Sequence, residues 1–184
     1  MESLRSATSN RVRWTCVSLC TVLVALFGIT SIAIATPPTR EDSQLPIGIP
    51  FIFQDTLGNN PCGFAVEVII TANKEVITTF TRQNGVTSIN TTGVLKVQLR
   101  NTVTDESIDR NISGAILGTL NADGSITQSG PGPSLWVFDP GVAPDLPRLA
   151  VISGRTVSIL GPGTAFTFVS RRGTYEDLCT TLAA

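Results

Sequence analysis

In the stretch Val94-Leu95-Lys96-Val97-Gln98-Leu99-Arg100, apolar and polar residues alternate without a break from Leu95 on. Successive side chains of a strand point to opposite faces, so Leu95, Val97 and Leu99 point one way and Lys96, Gln98 and Arg100 the other. This predicts a half-buried β-strand with one dry and one wet face. After it, Thr104-Asp105-Glu106-Ser107 turns the chain and residues 108–113 pair back.

The same grammar continues in both directions. Upstream, residues 64–71 place Phe64, Val66, Val68 and Ile70 on one face. Residues 75–82 form a second run, closed by Asn84-Gly85, a favoured hairpin dipeptide. Downstream, residues 115–120 meet the turn Asn121-Ala122-Asp123-Gly124, and residues 126–128 resume. The loop at 129–133 precedes Leu135-Trp136-Val137-Phe138, which is apolar on both faces. Asp139-Pro140-Gly141 and the prolines at 144 and 147 make a second loop. Residues 148–160, with Gly154 inside, read as one bent strand with a bulge. Gly161-Pro162-Gly163 turns into residues 164–169, Arg171-Arg172-Gly173 follows, and residues 176–182 predict a short C-terminal helix.

Composition agrees with this pattern. From Thr36 on, Val, Ile and Thr supply 45 of 149 residues, while Lys supplies 2 and Glu 5. Branched side chains suit a pleated surface, and the long straight-chain helix formers are scarce. The expected fold is all-β: a single antiparallel meander of eight or nine strands, closed as a barrel or folded as a sandwich to hide its edges, with barrel closure favoured. A domain of this size buries roughly two-thirds of its unfolded surface, enough for a core without metals.

The chain begins differently. Arg5, Arg11 and Arg13 precede an uncharged run from Trp14 to Ala35 that ends in Ala33-Ile34-Ala35. Basic start, apolar core and small-x-small ending read as a secretory signal helix with cleavage between Ala35 and Thr36. Left uncleaved, the 22-residue run is long enough to anchor the chain in a membrane, its only expected membrane contact. Arg11-Val12-Arg13 is no twin-arginine pair, and Cys20 lacks the small residue that a lipid-modified cysteine wants before it. The expected organisation is a signal peptide at 1–35, a flexible lead-in at 36–48 and a β-domain at 49–184. Two cysteines survive cleavage, Cys62 and Cys179, and in an oxidising compartment such a pair is expected to bridge.

The charges and side chains exclude several chemistries. Thirteen basic residues against 14 acidic ones give a net charge of −1 and no footprint for nucleic acid. Hydrophobic residues at 42 % argue against disorder. Histidine is absent, and with it the commonest general base and metal ligand. No G-x-S-x-G or phosphate-cradling glycine motif occurs. Lys74 and Lys96, the candidates for a Ser–Lys dyad, fall at a turn and on a wet strand face. Asp105, Glu106 and Asp109 form a dense acidic cluster, but neighbours in one hairpin do not face each other across a groove as glycoside hydrolysis requires. Residues 121–125 mimic half a calcium loop without its closing Glu. Asn90 and Asn111 sit in N-glycosylation sequons.

Cys62-Gly63-Phe64, residues 92–101, Asn111-Ile112-Ser113-Gly114, Ala122-Asp123-Gly124-Ser125, Leu135-Trp136-Val137-Phe138, Ser153-Gly154-Arg155 and Asp177-Leu178-Cys179 together make a further pattern. It resembles a broad, functionally uncharacterised group of small secreted β-rich proteins abundant in actinomycetes. The resemblance implies export, one β-domain and the disulfide, and carries over no catalytic residue. The expected function is therefore a secreted, non-catalytic β-domain with a binding or cell-exterior role toward an unknown extracellular partner, without metal or cofactor. Trp136, Phe138, Phe166 and Phe168 read first as ordinary core; the alternative is a lipocalin-like barrel in which they line a cavity for a small apolar ligand. A carboxylate-based enzyme, with Tyr175, Glu176 and Asp177 among its candidates, is the third reading.

Overall fold

Residues 66–81 and 87–101 form one long antiparallel hairpin, and residues 149–160 and 166–177 form another; everything else is arranged around these two. The computed structural model describes residues 37–55, 57–82, 85–161 and 166–184. In chain order its strands are β1 (Thr39–Asp42), β2 (Phe51–Phe53), β3 (Val66–Thr81), β4 (Thr87–Asn101), β5 (Ser107–Asn111), β6 (Ile116–Leu120), β7 (Ile126–Gly130), β8 (Pro133–Val137), β9 (Leu149–Leu160) and β10 (Phe166–Asp177), followed by helix α1 (Leu178–Leu182). The signal segment and its cleavage residues, Ala35 and Thr36, lie outside the described residues.

The strands form one antiparallel sheet in the order β1-β3-β4-β6-β7-β9-β10, with β2, β5 and β8 as side branches on β3, β4 and β9. Three of the four long strands, β3, β4 and β9, share one edge between two short partners, and β3 takes β2 over Val66–Val68 and β1 over Val76–Thr79. β4 pairs with β5 over Lys96–Arg100 and with β6 over Thr87–Thr91. β9 pairs with β8 over Leu149–Ser153 and with β7 over Thr156–Leu160. The two runs expected at 64–71 and 75–82 are thus one strand, and the simple meander becomes a branched one. Thr39–Asp42, within the expected lead-in, adds to the sheet edge beside β3.

The break between short partners falls where each hairpin bends. Gly154 and Gly173 face each other across β9 and β10. Both have positive φ, and a Cβ on either would sit 2.1 or 2.0 Å from a backbone oxygen of the opposite strand. Only glycine permits so close an approach. Gly93 does the same in β4, opposite Glu75. The bulge expected at Gly154 lies elsewhere: the β10 register shifts between Phe168 and Ser170, and the β3 register between Ile70 and Ala72.

These bends create two cores. Val66, Val68 and Ile70 of β3 and Leu95, Val97 and Leu99 of β4 join Leu135, Leu149, Val151, Leu178 and Leu182 in the first. Trp136, Phe138, Ala150 and Ile152 form the second, covered by Phe166, Phe168 and the loop residues Val142, Ala143 and Leu146. Odd and even positions of β9 therefore serve different cores, as period-2 alternation dictates when both faces are buried.

Barrel closure is the expectation that fails. β1 and β10 end the strand order without pairing to each other, so the sheet is open. The reason lies in the second hairpin. Folded at Gly154 and Gly173, it lays Phe166 and Phe168 on Trp136, with centroids 6.0 and 5.4 Å away, and buries both faces of β8–β9. The aromatic residues that would have lined a lumen are filled by one another, so the lipocalin-like alternative loses its barrel.

The first core is fastened at the chain end. Cys62 and Cys179 form the disulfide, with Cα atoms 5.0 Å apart, tying α1 to the loop before β3. Asp177 caps that helix, its side chain accepting from the N–H groups of Cys179 and Thr180. Asn101 Nδ2 donates to the Leu182 carbonyl at 3.0 Å, closing the other end.

Candidate functional site

Of the carboxylates singled out in the sequence, Asp105, Glu176 and Asp177 are occupied by architecture, whereas Glu106 and Asp109 lie exposed on the β4–β5 hairpin. Asp105 and Glu67 both pair with Arg100, at 3.3 and 2.9 Å. Arg110 pairs with Glu176, bridging β5 to β10; its side-chain hydrogen bond, acting against burial, holds the Glu176 carboxyl below its ordinary value. Asp177 is the helix cap, and Tyr175 lies under the Arg171 guanidinium at 4.8 Å. Lys74 and Lys96 are exposed. The 121–125 turn closes on itself: Asp123 accepts from the Ser125 N–H and hydroxyl, and Asn121 donates to Ser125 and Thr127. Among the described residues no cluster of three or more metal-ligating side chains occurs. Asn111 lies exposed on β5 and accepts from Ser113. Asn90 lies on β4, in a different setting.

Asn90 belongs to the outer face of the sheet, the side opposite Ile89 and Thr91. Across the ladders it stands in one row with Thr78 on β3, Leu117 on β6, Ser129 on β7 and Val157 on β9. Two depressions meet along this row. One, of about 540 Å³, is lined by Pro38, Phe80, Thr81, Arg82, Ser88, Asn90 and Leu117. The other, of about 370 Å³, shares Asn90 and Leu117 and adds Ala115, Ser129, Gly130, Pro131 and Arg155. Phe80 and Leu117 are 38 % and 43 % exposed, large apolar side chains left open on a wet face. From β3 to β9 is four strand spacings, about 19 Å.

The charge of the groove is one-sided. Arg82 and Arg155 line it and no carboxylate does. Arg172 stands directly opposite Arg155 in the β9–β10 register, and residues so paired share a face. Arg82, Arg155 and Arg172 take part in none of the ion pairs among the described residues.

Two interior groups also escaped the sequence reading. Asp55 is fully buried; burial pushes its carboxyl up, but hydrogen bonds from Asn59, Arg148 and the Leu57 N–H outweigh this and hold it below its ordinary value. Glu75 is 4 % exposed, its carboxylate takes no hydrogen bond from a described residue, and burial raises its pKa. Only a signal for which face each residue takes would have found them or the groove, and in the sequence Phe80 and Leu117 look like ordinary strand residues.

The disulfide is consistent with an extracellular location, and no helix among the described residues is long and apolar enough to cross a membrane. Comparison of the chain with protein-family models, with curated proteins and with solved structures finds no match.

Proposed function

We propose that this protein is an exported, non-catalytic binding domain that presents the groove over Asn90 and Leu117 to a ligand outside the cell. The observation that carries the reading is that Asn90, Leu117 and Ser129, three neighbours in one cross-strand row, line two adjoining depressions together with Phe80, Arg82 and Arg155. Export is supported by the signal pattern of residues 1–35 and by a disulfide that a reducing cytoplasm would disfavour. The resemblance to small secreted actinomycete proteins points the same way. The non-catalytic part is supported by the use of Asp105, Glu176 and Asp177 as ion-pair partners and a helix cap rather than as a facing acid and base.

Expression of the full chain in a secreting host tests the reading. The protein is expected in the medium, beginning at Thr36, and retained on the producer's cell envelope. Asn90→Ala with Leu117→Ala is expected to keep the fold, read from Trp136 fluorescence, and to lose that retention. A chain confined to the cytoplasm with Met1 in place, or retention unchanged by the double variant, overturns it. So does a measurable turnover abolished by alanine at Asp105, Glu106, Asp109, Glu176 or Asp177 in a folded protein.

A further inference from the structure

We infer that the ligand of the groove is an acidic polysaccharide, held at one end by Arg82 and at the other by the facing pair Arg155 and Arg172. This rests on reading the outer sheet face as the binding surface and names what that surface takes.

The arginine pair is the first observation. Like charges directly opposite across an antiparallel ladder repel, and both of these residues are exposed with no carboxylate partner among the described residues. Three other arginines are neutralised, Arg100 between Glu67 and Asp105, Arg110 with Glu176 and Arg148 with Asp55, while Arg40 at the β1 edge is in no ion pair among the described residues. Arg171, the neighbour of Arg172, is engaged otherwise, stacked on Tyr175 and donating to the Gly173 carbonyl. Two guanidinium groups left facing each other are relieved by a shared anion, which guanidinium binds in bidentate fashion.

Overall charge does not explain the positive groove. From Thr36 on, 13 acidic residues outnumber 10 basic ones, yet none of the acidic ones lines either depression. The two charged residues of the lining, Arg82 and Arg155, are both cations, against the trend of the domain.

The remaining lining decides which anion. Thr81, Asn90 and Ser129 offer hydroxyls and an amide, and Phe80 offers a flat apolar face. The strands beneath have their N–H and C=O groups engaged with each other in the ladders, so a ligand lying across them meets side chains alone. A peptide that binds by strand addition needs a free edge, which the middle of this face lacks. A chain of carboxylated sugars matches this lining: hydroxyls against Asn90 and Ser129, ring faces against Phe80, and carboxylates at the arginines. The span of about 19 Å suits an oligomer rather than a single small molecule.

The test measures binding of polygalacturonate, neutral dextran and polyglutamate to the disulfide-bonded, exported protein, at low and high salt. Polygalacturonate is expected to bind, to weaken at high salt, and to weaken roughly tenfold or more with Arg155→Gln and Arg172→Gln together. Both positions are exposed, so these variants should fold. Dextran binding as tightly as polygalacturonate overturns the role of charge. Polyglutamate binding as tightly overturns the polysaccharide assignment. If no polymer binds but envelope retention still depends on Asn90 and Leu117, the ligand class is wrong and the groove reading stands. If retention is also independent of the groove, both fall.

Discussion

The two long hairpins start from similar sequence and end as different objects. In β3–β4 one face is dry near the chain end, with Val68 and Leu99, or Ile70 and Val97, opposite each other, and the other face stays partly wet. In β9–β10 the first four residues of β9, Leu149 to Ile152, are all buried. The first hairpin supplies one wall to one core, whereas the second is a partition between two. Burying both faces requires the hairpin to fold over itself, and the paired Gly154 and Gly173 allow that where the single Gly93 gives a corner. A strand apolar on one face tolerates an open sheet. One apolar on both must find a second cover, and here it finds it in its own hairpin.

The largest test of this contrast is the disulfide. It closes a sequence separation of 117 residues, for which loss of loop-closure entropy in the unfolded chain is worth about 4–5 kcal/mol on the chain-entropy model. Cys62→Ala with Cys179→Ala is expected to cost about that much or somewhat less, measured by urea unfolding. The bond touches only the first core, but β8 and β9 belong to both. Trp136 fluorescence, reporting the second core, should therefore lose its folded signal at the same urea concentration as far-UV circular dichroism. Separate midpoints would break the picture of a shared wall.

Next in size are the corners. Gly173→Ala puts a methyl 2.0 Å from the Ser153 oxygen, and Gly93→Ala puts one 2.2 Å from the Lys74 oxygen. Both also force a side chain into a positive-φ conformation, so each is expected to cost roughly 2–3 kcal/mol. Their signatures differ. Gly173→Ala should disturb the contact of Phe166 and Phe168 with Trp136 and shift its emission, while Gly93→Ala leaves that emission unchanged. The same shift in both would mean that the corners are not independent.

How much of this was legible follows from periodicity. Val94–Arg100 announced its own strand, with Leu95, Val97 and Leu99 buried as the alternation requires. The apolar run Leu135–Phe138 announced burial on both faces, and the cysteine pair its bond. What alternation cannot reveal is an extra residue. The register shift between Ile70 and Ala72 changes the parity of β3: Val66, Val68 and Ile70 face the core before it, and Glu75 is buried after it. Gly154 finds Gly173 only through the folded register, and the outer groove is assembled from β3, β4, β6, β7 and β9 in one row. Phe80, Asn90 and Leu117 read locally as ordinary strand positions, and Ser129 and Gly130, expected in a loop, close β7, so the site exists only at the level of pairing.

The smallest expected effect bears on the residue that this parity change buries. Burial raises the Glu75 carboxyl above its ordinary value, so the folded state holds that proton more tightly than the unfolded chain. By linkage, stability falls as pH rises from the unfolded carboxylate range through the raised folded value, and the cost is complete above it. Asp55 and Glu176 act oppositely: their folded values are depressed, so their contribution is present at neutral pH and lost as pH falls through those values. Glu75→Gln isolates the first effect, because the neutral amide keeps nearly the same shape without ionising. It should stabilise the protein by about 1 kcal/mol at pH 7.5 and leave it nearly unchanged at a pH low enough to protonate Glu75. The measurement is the difference in urea-unfolding free energy between variant and parent across that range. A variant equally displaced at both ends, or less stable at neutral pH, would mean that the carboxylate on the inner side of the β3–β4 corner is satisfied as an ion, and that the first hairpin holds a charge where the second holds only apolar rings.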